Sequence, residues 1–176
     1  MSLLDFLGLG GRAQAPRSEP ASLREIGARL EGLPPEEARF AAAFAYLLAR
    51  IAGADLRTED SERLEMVRHL ERFGELDADR AKLLGQTAVQ AAWTYSASDD
   101  HLVARAFRDM SEPEERLRLL RCLYAVAAAD QTISTREDNA IFEIATTLDM
   151  PREAVVGIRA DFREYLGALK ALPGER

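Results

Sequence analysis

Apolar residues recur at spacings of three and four along most of the chain and nowhere alternate with period two, so every element predicted is a helix. Leu23, Ile26 and Leu30 mark a short helix over residues 22–30, stopped by Pro34 and Pro35. Over residues 36–53, Phe40, Phe44, Leu47, Leu48 and Ile51 form one stripe, with Ala41, Ala42, Ala43, Ala45 and Ala49 around it. Small residues nearly all round predict a helix packed on several sides. The next helix starts at Thr58 or Glu59, turns Leu64, Val67 and Leu70 inward, and stops at Gly74. Residues 77–95 offer Leu83, Leu84, Val89 and Trp93 as core candidates. Ser98-Asp99-Asp100 caps a shorter helix ending near Met110. Ser111 as N-cap, with Pro113 near the start, opens a helix to Ala129 that carries Leu119, Leu120, Leu123 and Val126. A helix over residues 134–148 and a last one from Pro151 to about Leu169 follow.

One short word occurs twice at a junction between helices. Ala52-Gly53-Ala54-Asp55 is followed by Glu62, and Ala127-Ala128-Ala129-Asp130 by Glu137, at a constant offset of 75 residues. The same offset matches Phe44 with Leu119, Leu48 with Leu123 and Ile51 with Val126. The expected architecture is all-α: one helical-bundle domain of about seven helices over residues 21–172, with an internal two-fold duplication.

Residues 1–20 stand apart. Two prolines and three glycines over residues 8–20 make a flexible linker. Ahead of it, Leu3, Leu4, Phe6 and Leu7 are too many apolar residues for a solvated tail. Two placements are open: a docking element for a protein partner or a second copy, or a short helix tucked back on the bundle. The arm, residues 1–7, is short and without Lys or Arg, so at most it gives peripheral membrane association.

Apolar residues at 47% and charged residues at 30% mark a globular chain rather than a disordered one. A net charge of −7 repels phosphate backbones and argues against nucleic acid. The longest uncharged apolar run, residues 40–49, is half what a bilayer span requires, so no transmembrane segment is expected. The single cysteine, Cys122, lies among core candidates and has no internal partner, which fits a buried thiol in a cytoplasmic protein. His69 and His101 lack the spacing of a zinc site and read as exposed helical residues. Arg116, Arg118 and Arg121 read as a solvated face, with Glu114 and Arg118 as an i, i+4 pair.

The repeated acidic positions are the candidate site. Ser134-Thr135-Arg136-Glu137 spells a capping box, which gives Glu137 a structural task. Asp55 and Asp130 end helices, where the macrodipole disfavours a carboxylate by about 0.3–1 kcal/mol. Three partners could offset that: backbone N–H groups opening the next helix, an arginine such as Arg57 or Arg136, or a divalent cation (Mg²⁺ or Ca²⁺) held by Asp55, Glu62, Asp130 and Glu137. The spacing is not that of an EF-hand: from Asp130, positions 3, 5, 6 and 12 are Thr132, Ser134, Thr135 and Ile141.

Ala-x-Ala-Asp, a short turn ending in Ile133, then Glu137, inside a duplicated helical domain, resembles the TerB-like family. That family includes the tellurite-resistance protein TerB and many uncharacterised bacterial relatives. The resemblance covers about residues 36–170, and Glu114-Glu115-Arg116 also looks like its pattern. The family carries Gly after the Asp. Leu56 and Gln131 stand here instead, and Thr58 replaces the Ile in the first copy. A side chain at that position tolerates a left-handed turn poorly. The resemblance implies a helical bundle acting near membranes or in stress-response assemblies, with a functional acidic patch. The leading expectation is therefore a non-enzymatic interaction or scaffold module. The alternative is a divalent-cation-responsive regulator on the four carboxylates, and a metal-assisted hydrolase on the same residues has the least support.

Overall fold

Two prolines decide where the central helix begins. In the computed structural model, which describes residues 20–30, 32–53, 60–74, 77–95 and 97–170, Pro34 is the N-cap and Pro35 the first residue of α2 (Pro35–Ala52). Proline at that position costs nothing, because its missing N–H would be unpaired anyway. Glu36 and Glu37 in the first turn oppose the helix dipole favourably. From Ala41 to Ala49 every residue is buried, and α2 touches α1 (Ala21–Gly27), α3 (Asp60–Gly74), α4 (Ala78–Thr94), α5 (Ala97–Met110), α6 (Pro113–Ala127) and α7 (Thr135–Thr147). The alanines make this possible, since small side chains let six neighbours approach one axis. Among them, Leu47, Leu48 and Ile51 are fully enclosed, each contributing about 1.5–3 kcal/mol. Phe40 and Phe44 meet Phe107 of α5 at ring distances of 5.0 and 6.3 Å.

Eight helices of seven or more residues lie among the described residues, ending with α8 (Arg152–Asp161). A 3₁₀ turn (Arg163–Tyr165) and the short α9 (Gly167–Lys170) follow. The helix ends obey the 75-residue offset: α2 and α6 close at Ala52 and Ala127, and α3 and α7 open at Asp60 and Thr135. Both pairs pack together, α2 on α3 and α6 on α7.

Several side chains face otherwise than their spacing predicts. Leu64, Leu83 and Trp93 are exposed, at 53%, 46% and 55%. On α4 the stripe of Ala81, Leu84, Ala88, Ala91 and Ala92 is buried instead, because the close approach of α2 favours the small face. His69 is half-buried, not exposed, and desolvation holds its imidazole pKa below the ordinary value. Ser111 is not the N-cap of α6; Glu112 is, with its N–H donating to the Glu115 carboxylate at 2.8 Å. Ser111 is buried and, with the Arg108 carbonyl, accepts from the Arg116 guanidinium. Arg116 thus ties the end of α5 to the start of α6 rather than facing solvent. Cys122 is buried as expected, and desolvation pushes its thiol pKa up to about 12.

The last predicted helix is broken at Phe162 and Leu166. Ile133 explains the second break. Its N–H donates to the Tyr165 carbonyl at 2.6 Å, and its carbonyl accepts from the Gly167 N–H at 2.9 Å, forming an isolated parallel bridge to Leu166. Strand-like pairing and a continuous helix cannot share those groups. A Cβ at Gly167 would stand 3.2 Å from the Ile133 carbonyl, so glycine suits this crossing.

The tightness of α2 is testable. Ala45→Leu should lower stability by about 1–3 kcal/mol, read as a lower urea midpoint with the helical far-UV signal retained. An unchanged midpoint would mean that α2 has room its buried alanines do not suggest.

Candidate functional site

The second acidic junction is local chemistry. Ser134 is the N-cap of α7; its Oγ accepts from the Glu137 N–H at 3.2 Å, and the Glu137 carboxylate accepts from the Ser134 N–H at 2.7 Å. Glu137 is 3% exposed. Glu62, third residue of α3 as Glu137 is third residue of α7, is also 3% exposed. Asp130 lies in the turn beyond α6 and is exposed. One of its carboxylate oxygens accepts from the Thr132 N–H at 2.8 Å, a turn in which the side chain stands in for a backbone acceptor. Its partner is thus a turn amide, not an amide opening α7. The next residue, Gln131, adopts φ +73°, so the left-handed turn forms without glycine. That backbone costs a side-chain-bearing residue about 1–2 kcal/mol.

Asp55 lies outside the described residues. Of the other three candidates, Asp130 and Glu137 each accept from a backbone N–H. Among the described residues, no group of three or more His, Cys, Asp or Glu side chains is placed to hold a metal ion.

Two other acidic residues organise polar ties that the sequence pattern does not announce. Asp100 accepts from the Tyr46 hydroxyl at 2.7 Å and pairs with Arg50 at 2.8 Å. Arg50 also donates to the Ala92 carbonyl at 3.3 Å, near the end of α4. Next to it, Asp99 accepts from the Ser22 hydroxyl of α1. Asp138 of α7 accepts from the Tyr124 hydroxyl at 3.2 Å and takes Arg159 of α8 in a two-pronged pair, at 2.9 and 2.7 Å. Phe162 stacks on Tyr124 with centroids 5.5 Å apart. Burial raises the pKa of both phenols, and the adjoining carboxylates raise them further, so each remains a donor. Asp100 is pushed above the usual carboxylate range by desolvation, against the pull of Tyr46 and Arg50. With these partners engaged, neither trio presents a nucleophile beside a general base.

Two open clefts cross the surface. A polar one of about 840 Å³ runs between α5 and α7, with Arg50, Asp100, His101, Arg136 and Thr147 on its walls. A more apolar groove of about 530 Å³ separates α3 from α4. Leu64, Met66, Val67, Gly85 and Val89 line it, together with Asp60, Arg63 and Lys82. Gly85 lets the two helices approach: a Cβ there would meet Met66 at 3.1 Å and Val67 at 3.4 Å. Along α4, Lys82, Gln86, Val89 and Trp93 share one helical face, so the exposed Trp93 continues the groove one turn beyond Val89. Apolar residues on the unburied face of α4 were the signal available in sequence; they read as core because periodicity does not say which face turns inward.

A family model described as tellurite resistance protein TerB matches residues 39–160. No curated protein and no solved structure matches the chain.

Two substitutions measure the junction. Ser134→Ala should cost about 0.5–2 kcal/mol by removing the cap. Gln131→Gly should gain about 0.5–1 kcal/mol, the relieved backbone strain exceeding the entropy glycine adds to the unfolded chain. Chemical denaturation of both variants checks the signs, which should be opposite.

Proposed function

The chain belongs to the TerB family, and from that membership and its surface we propose a non-enzymatic helical interaction module that docks a protein partner in the α3–α4 groove. The observation that carries this reading is the apolar lining of the groove, with Leu64 more than half exposed in it and the exposed Trp93 one turn beyond Val89 on the same face of α4. Apolar surface of this kind gains most from an amphipathic helix laid into it. The engaged Tyr–Asp–Arg trios support a structural rather than a chemical use of the polar residues. No described helix is long and apolar enough to cross a membrane. The resemblance set out above extends this reading to a bacterial stress-response assembly, with the module working in the cytoplasm close to the inner membrane.

The reading is tested by affinity capture from the source-cell lysate with wild-type and Leu64→Glu baits, with and without excess Mg²⁺ or Ca²⁺. A specific partner should be retained by wild type and lost at least about tenfold on Leu64→Glu, the loss expected when a buried leucine contact worth about 1.5–3 kcal/mol is removed. Equal retention by both baits would sink the groove. Retention only with added cation, abolished by Asp130→Asn, would instead support the cation-responsive regulator acting through Asp55, Glu62, Asp130 and Glu137. Phosphoester turnover that vanished in Asp130→Ala would support the hydrolase.

A further inference from the structure

We propose that the α3–α4 groove is occupied in the resting molecule by the chain's own N-terminal segment Leu3-Leu4-Asp5-Phe6-Leu7, which a partner must displace. This inference rests on reading the groove as a docking surface. Geometry supplies the first argument. The described chain starts at Pro20, the N-cap of α1, and α1 packs against α4. Glu25 of α1 accepts from the Tyr95 hydroxyl at 3.0 Å, two residues past Trp93. The chain therefore enters the fold beside the end of α4 at which the apolar lane begins. From Trp93 to Lys82 the helix rises about 17 Å. The linker of residues 8–19 has an r.m.s. reach of about 17–21 Å, which matches that span.

Chemistry supplies the second. Leu3, Leu4, Phe6 and Leu7 give the segment four apolar side chains within five residues, matched to a groove lined by Leu64, Val67 and Val89. Asp5 is the arm's acidic residue, and the groove lining carries two cations, Arg63 and Lys82, against one acid, Asp60. Tethering supplies the third. A short flexible linker gives an effective concentration of order 1 mM, so a segment that would bind only at about 100 µM when free is about nine-tenths docked when attached. The membrane finds no comparable match, because the arm has no basic residue to meet anionic lipid.

Trp93 is the single tryptophan and is exposed one turn beyond the groove residue Val89 on the same face of α4, so the full chain carries its own probe. Acrylamide quenching of Trp93 is compared in wild type and in Leu4→Asp/Phe6→Asp, with far-UV circular dichroism verifying an unchanged fold. The variant should be quenched about twofold more steeply, independent of protein concentration. Adding a peptide of residues 1–12 to the variant should restore protection, and Leu64→Glu in the variant should prevent that rescue. Equal quenching of wild type and variant overturns the proposal. Protection that appears only as wild-type concentration rises also overturns it, in favour of a second copy. Should the peptide protect the variant while wild type is no better protected than the variant, the groove remains a docking surface and this segment is not its resident. Should the peptide fail to protect as well, this segment is not an occupant of the groove, and the docking surface is decided by the Leu64→Glu capture alone.

Discussion

The fold depends on one constraint: α2 has no solvent face over its middle turns. Between Ala41 and Ala49 nothing is exposed, so six other helices must be placed to cover it. Alanine is the residue that permits this. It has the best helix propensity and the least side chain, so the helix is stable while its neighbours come close on every side. The remainder of the bundle can be understood as the set of amphipathic helices that this axis requires.

Close packing alone leaves the rotation of each surrounding helix under-determined, and the buried polar residues resolve it. Tyr46 and Tyr124 are both fully buried, and each must donate its hydroxyl somewhere. Asp100 accepts one and Asp138 the other, and Arg50 and Arg159 balance the carboxylates. The first trio links α2, α4 and α5; the second links α6, α7 and α8. They are not copies under the 75-residue offset, since Ala49 stands where Tyr124 would map. The same physical need is met twice by unrelated positions, with each wrong rotation leaving a charge or a phenol unsatisfied.

What was legible in sequence was what is local. The helix over residues 36–53, the Ser134–Glu137 box and the end of α3 at Gly74 depend on neighbours within a few residues, so spacing and capping chemistry disclose them. The Asp130–Gln131 turn was half legible: a missing glycine signalled strain, and the chain accepts that strain at Gln131. The trios were invisible, because Tyr46 and Asp100 stand 54 residues apart and their conjunction is created only by packing. Trp93 was misplaced for a related reason. Periodicity groups residues on a face, and on α4 the small face, not the aromatic one, fits the crowded axis. The surface that this left apolar is the surface with a candidate use.

Cys122 carries a further consequence. Its thiol is buried on α6 beside Leu119 and Leu123, with a pKa near 12, so at neutral pH almost none of it is thiolate. Thiolate is the form that attacks disulfides and is oxidised. Folding therefore hides the chain's one thiol both sterically and electronically. Oxidants and mixed disulfides then act on the unfolded molecule rather than the folded one. A loss of stability anywhere in the bundle becomes, at this position, a gain in chemical reactivity, and damage marks the molecules that have opened.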